Sequence, residues 1–181
     1  MLRSAMGYLA AADATAMEAA TQAQCLRTLE QLHAIETAAR ASVLGALASA
    51  RADTSRTDAG RGGAADFSPR SWLVRETGVT TGTATGHAAW ARRAAEHPQV
   101  TEALAEGHRL SESVARTICT WTDKLPADCR VAADAILIVA AKSGANVRDL
   151  AEVFGGIYTL ARPRPGLVPA PDPAVISAVA I

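Results

Sequence analysis

The sequence predicts an all-α protein, with a long N-terminal helix, about six shorter helices arranged as helical hairpins, and a flexible Pro-rich C-terminal tail. Three observations carry that prediction. Alanine, the strongest helix former, is the commonest residue. Aromatics make up only 4%, and Val, Ile, Tyr and Phe are too thinly spread to supply regular strands. Apolar residues recur at steps of three and four between clear cap and stop signals. A core of Ala and Leu lets helices approach closely while each contact buries little area, so modest stability or help from self-association is expected.

The chain divides into an extension over 1–14, one helical domain over 15–162, and a tail or linker over 163–181. Within the domain, Leu26, Leu29, Leu32, Ile35, Ala39, Val43 and Leu47 form one face of a long helix over 15–51. Thr15 and Glu18 stand three apart, the spacing of a capping box that would start it. At about 1.5 Å per residue such a helix is roughly 50 Å long, more than a compact domain needs from one element, so part of it is expected to pack on something else, for instance another copy. Residues 52–67 are small, polar and glycine-rich and read as a mobile loop.

Helical hairpins follow over 68–162. Ser68 and Pro69 suit an N-cap and first turn, with Trp72 and Leu73 inward and Gly78 as a left-handed stop. Thr80 or Thr81 caps a helix to about Glu96, which Gly82 and Gly86 weaken. Pro98 opens a short helix that Gly107 closes. Ser111 caps another, with Val114, Ile118, Trp121 and Leu125 as its inward stripe. Pro126 introduces a segment that is apolar nearly all round and ends at Gly144, so it reads as a central helix. Asn146 with Asp149 signals a last helix, before the prolines that follow Arg162.

Chemistry is sparse. Lys plus Arg number 18 and Asp plus Glu number 18, so no long-range field draws in a polyanion and nucleic-acid binding would need a local patch. Cys25, Cys119 and Cys129 form no CxxC pair, which suits reduced thiols in a cytoplasm. No segment is apolar enough for a confident signal peptide or a bilayer span, so no membrane partner is expected. His33, His87, His97 and His108 are scattered singly, which argues against a metal site. His97 and His108 flank helix boundaries, where capping or solvent exposure is expected. No phosphate loop, nucleophile elbow or acid/base pair stands out, so no catalytic residue and no cofactor is assigned.

The run from Asp66 to Pro126, with its WL pair before a TGV turn, an ARR, then HPQV, ALAEGHRLS and an LP step, resembles the family known as domain of unknown function 222, or 13E12 repeat. The resemblance covers most of residues 13–162. It implies a helical module that precedes a C-terminal HNH nuclease module and handles DNA. Beyond Arg162, however, no His, Asn or CxxC is present to build such a metal-bound centre, so this chain is expected to lack the nuclease activity itself. It reads as either a short member or a fragment, acting by binding DNA or by positioning a nuclease in cis or in trans.

The pair 69–77 and 80–96 has helix-turn-helix form, which would put the start of the second helix in a major groove. Thr80, Thr81, Thr83 and His87 could then reach bases or phosphates, and Arg70, Arg75, Arg92 and Arg93 the backbone. Against this, residues 68–125 carry seven positive and six negative groups, and a plain hairpin with a solvated face remains open. The rival reading is a homo-oligomer or protein-interaction platform built on the long helix, which an exposed apolar face there would favour.

Overall fold

A computed structural model describes residues 2–57 and 68–161, and these are helical, with no strand among them. The elements are α1 (Leu2–Ala11), a 3-10 turn (Ala14–Ala16), α2 (Ala19–Thr57), α3 (Pro69–Thr77), α4 (Thr81–Glu96), α5 (Pro98–Ala105), α6 (Glu112–Thr122), α7 (Ala127–Lys142) and α8 (Val147–Ala161). The expected tail over 163–181 lies outside the described residues.

The hairpin helices start where capping chemistry places them. Ser68, Thr80 and Ser111 each accept a hydrogen bond from a backbone N–H three residues on, satisfying donors that a first turn leaves unpaired. Asn146 and Asp149 form a reciprocal box: the Asn146 side chain accepts from the N–H groups of Arg148 and Asp149, and Asp149 accepts from that of Asn146. The turns Gly78, Gly107 and Gly144 all have positive φ.

Two boundaries differ from the sequence reading. The Thr15–Glu18 box does not form: Asp13 accepts from the backbone and hydroxyl of Thr15, closing the short 3-10 turn, and α2 begins later at Ala19. An aspartate two residues upstream is the stronger competitor for that donor. The loop expected from residue 52 starts later too, because the helix continues to Thr57; the remainder of that loop, 58–67, falls outside the described residues.

The face α2 turns inward is made mainly of small residues. Its buried residues are Ala34, Thr37, Ala38, Ala41 and Leu44, and they lie against α4 and α5. Alanines on α4 (Ala84, Ala88, Ala91, Ala94) meet this face, so the helices can approach closely. Larger residues fill the far side of the core, where Val100, Leu104, Ile118, Leu137 and Leu150 are almost wholly buried. Trp121 stacks on Phe154 at 5.6 Å and ties α6 to α8. Arg116 sits over the buried Trp90 ring, 4.6 Å from its centroid. α7 is not a central helix. It buries Ala133, Asp134, Leu137, Ile138 and Ala141, while Val131, Ile136 and Val139 face solvent.

Candidate functional site

The helix-turn-helix-like pair exists as α3, the Gly78 turn and α4, but its polar groups are already committed in part. The Thr80 hydroxyl accepts from the Thr83 backbone N–H at 3.2 Å and shares a hydrogen bond with the Thr83 hydroxyl, so both serve the helix start. Thr81 is exposed. Arg75 bonds Glu76 at 2.7 Å, and Arg93 turns away from α3 to pair with Asp123 at 3.1 Å. Arg70 and Arg92 are exposed.

His87 is half-buried, with the Arg40 guanidinium 3.1 and 3.2 Å from its two ring nitrogens. Near-equal distances to both nitrogens put the cation against the ring and not on one lone pair. Burial first, and the Arg40 charge second, hold the His87 ring below its ordinary value, so it stays neutral near pH 7. The eight nominated residues therefore do not form one basic surface. What α4 presents outward is a row of small and hydroxyl side chains, Thr81, Gly82, Thr85, Gly86 and Ala89, ending at Arg92.

A second surface lies on α2. The face opposite its buried alanines carries Leu32, Ile35, Ala39, Ser42, Val43 and Ala46, with no charged residue among them. Val43 is 66% exposed and Ile35 39%. Charges begin only at its flank, where Glu36 is paired with Arg40. Beside it runs a groove of about 600 Å³ between α2, α4 and α5, floored by Ala38, Ala41 and Ala94, in which Glu102 is the one charged lining residue.

The most organised polar chemistry is one that the sequence did not reveal. His97, expected at the surface, is fully buried at the joint between α4 and α5. Its Nδ1 lies 2.7 Å from Asp134 Oδ2 and its Nε2 2.9 Å from Asp123 Oδ1. Asp134, itself buried, also accepts from the Thr122 hydroxyl at 2.7 Å, and Asp123 reaches out to Arg93. Five side chains from α4, the α4–α5 joint, α6, the end of α6 and α7 thus interlock. The only sequence signal is a polar residue directly before a helix-opening proline; its partners stand 26 and 37 residues away.

The neighbouring Cys119 thiol is buried, and burial together with the Asp134 and Asp123 charges pushes it up to about 12. The three cysteines are free. His108, by contrast, is exposed at its loop. Among the described residues no group of three or more His, Cys, Asp or Glu side chains is arranged to hold a metal ion, and no helix is long and apolar enough to cross a membrane. Comparison with family models, with curated proteins and with solved structures finds no match to this chain.

Proposed function

We propose that this chain is a non-catalytic helical module that acts by association, in the first place with a second copy of itself through the outward face of α2. One observation carries the reading: the apolar stripe of a long helix, Leu32, Ile35, Ala39, Ser42, Val43 and Ala46, is left outside the fold's own core. Its three-and-four spacing is the spacing with which helices pair side by side, and its small residues permit close approach. Apolar surface of this kind gains free energy on being covered.

Sedimentation of the purified chain over a range of concentrations tests it, alongside an Ile35→Glu, Val43→Glu double variant. Val43 is 66% exposed, whereas Ile35 also packs against the Gly107 turn, so Val43→Glu alone is measured beside the double variant as the change that leaves the fold's own contacts intact. Concentration-dependent dimerisation that the variant loses supports the reading; a monomer at every concentration removes it.

The second reading, a DNA-contacting accessory module of the 13E12 kind with a nuclease supplied in cis or in trans, is favoured by the outward row of α4. That row offers hydroxyls and no acidic side chain before Glu96, with Arg70 and Arg92 exposed on the same helix pair. Phosphate contacts make affinity fall steeply with salt. Binding of a labelled duplex at several salt concentrations, with Arg70→Ala, Arg92→Ala alongside, decides it: salt-sensitive binding lost in the variant supports DNA contact, and no binding at low salt eliminates it.

A further inference from the structure

We propose that the chain covers a second apolar face of its own, the outward side of α7, with the uncharged segment 174–181 of its tail. This contact and self-association through α2 use different helices, and neither needs the other.

α7 has two distinct sides. Ala133, Asp134, Leu137, Ile138 and Ala141 are buried and define the inner one. A turn of about 100° per residue puts Ala132, Ala135, Ile136 and Val139 on the opposite side, with Val131 at its edge. Val131 is 55% exposed, Ile136 50% and Val139 65%, so the neighbours α5, α6 and α8 leave these side chains in water. Between Asp128 and Lys142 the charged residues of α7 are Arg130, which bonds Glu96, and the buried Asp134, so the outward side itself carries no charge. Branched apolar side chains in such a row gain free energy when covered.

The course of the chain says what reaches that face. Residues 143–146 join α7 to α8, Gly144 takes a positive φ in the turn, and the two helices pack on each other as a hairpin. They have 16 and 15 residues, about 24 and 22 Å at a rise of about 1.5 Å per residue, so Ala161 returns to the level at which α7 begins. The tail leaves from that end, where α7 carries the exposed Asp128, and its first charges, Arg162 and Arg164, are of opposite sign. The apolar face of α2 is not next to this exit: α2 packs on α3, α4, α5 and α6, whereas α8 packs on α7.

Residues 162–173 include five prolines, a composition that suits a stiff spacer and not a helix. At about 3.1 Å per residue that spacer spans up to roughly 37 Å. The row from Val131 to Val139 is only about 12 Å long, so all of it lies within reach. Beyond the spacer, residues 174–181 contain no charged side chain and carry Val175, Ile176, Val179 and Ile181. Tethering holds such a segment at an effective concentration on the order of millimolar, at which even a weak apolar contact stays formed.

Methyl NMR of the full natural chain tests this. Isotope-labelled protein is mixed with an excess of unlabelled protein, so that only contacts within one molecule are seen, whether or not it pairs through α2. The expected result is through-space contact between methyls of Ile176 or Val179 and those of Ile136 or Val139. An Ile136→Glu, Val139→Glu variant, altered at two exposed positions, should lose those contacts while its core methyl signals stay in place. Tail methyls that touch no methyl of α7, or that touch Ile35 and Val43 on α2 instead, would overturn the proposal. Contacts seen only between differently labelled molecules would mean that a second copy covers α7, and would overturn it equally.

Discussion

Thr122→Val isolates a single hydroxyl in the buried cluster, because valine nearly preserves the shape of threonine. The hydroxyl carries one proton and lies 2.7 Å from Asp134 Oδ1 against 3.1 Å from the Ile118 carbonyl, so the aspartate receives it. Removing a donor from a buried charged acceptor costs about 1.5–3 kcal/mol, and the added apolar contact of the methyl returns somewhat less than about 0.8 kcal/mol. A net loss of about 1–2 kcal/mol remains. For an ordered region of about 150 residues, an unfolding entropy of about 0.3 kcal/mol/K converts 2 kcal/mol into a Tm lower by roughly 6 °C. Thermal unfolding followed by circular dichroism measures it, with Thr122→Ser as the control that keeps the hydroxyl and loses only the methyl. A valine variant as stable as the natural chain, with the serine variant weaker, would refute the reasoning and show that packing, not the hydrogen bond, governs this position.

Gly107→Ala should destabilise the fold by about 1–2 kcal/mol in urea titration, because a Cβ there would be forced to φ +66° and would meet Ile35 Cδ1 at 2.7 Å. Gly144→Ala, at φ +99° but facing open space, should cost less than Gly107→Ala if the steric part matters. Under native conditions a thiol reagent should modify the half-buried Cys25 and Cys129 before Cys119, as peptide mass spectrometry would report; early loss of the Cys119 thiol would contradict its burial and raised value. Burial pushes the Glu112 carboxyl up, but the hydrogen bond and charge of Arg116, joined by His33, outweigh it and hold the group below its ordinary 4.5. Its contribution is therefore present above about that pH and lost as pH falls through the depressed value, so Glu112→Gln should be less stable than the natural chain at pH 6 and converge with it in acid.

The hairpin region was legible because its signals are local. A serine, threonine or asparagine that caps and a glycine that reverses the chain each act within three or four residues, and Ser68, Thr80, Ser111, Asn146, Gly78, Gly107 and Gly144 all do what their neighbours require. Orientation was not legible on α2 and α7, because alanine is acceptable on either side of a helix. On α2 the leucine stripe left open which face packs inward, and the alanines took that place, since close approach to another alanine-rich helix, α4, favours small residues. On α7 an apolar residue at nearly every position erased the distinction between inside and outside. The buried cluster was invisible for a different reason: His97 becomes a cluster member only through partners on other helices. Of the nominated DNA-facing set, sequence spacing put Arg93 beside Arg92, but one step along a helix turns a side chain by about 100°, and that rotation carries Arg93 to Asp123.

The alanine-lined seam between α2 and α4–α5 also bears on the order in which the chain assembles. Neighbouring helices from α3 onward pack on partners close by along the backbone, whereas α2 joins partners far downstream. Distant contacts require a large loop to close before they return any free energy, so α2 should dock late and detach early. Because its seam is shallow, made of methyl groups, a detached α2 leaves behind a slot that the same helix of a neighbouring molecule could occupy equally well. Exchange of that segment between chains would then need no surface that the lone molecule does not already possess.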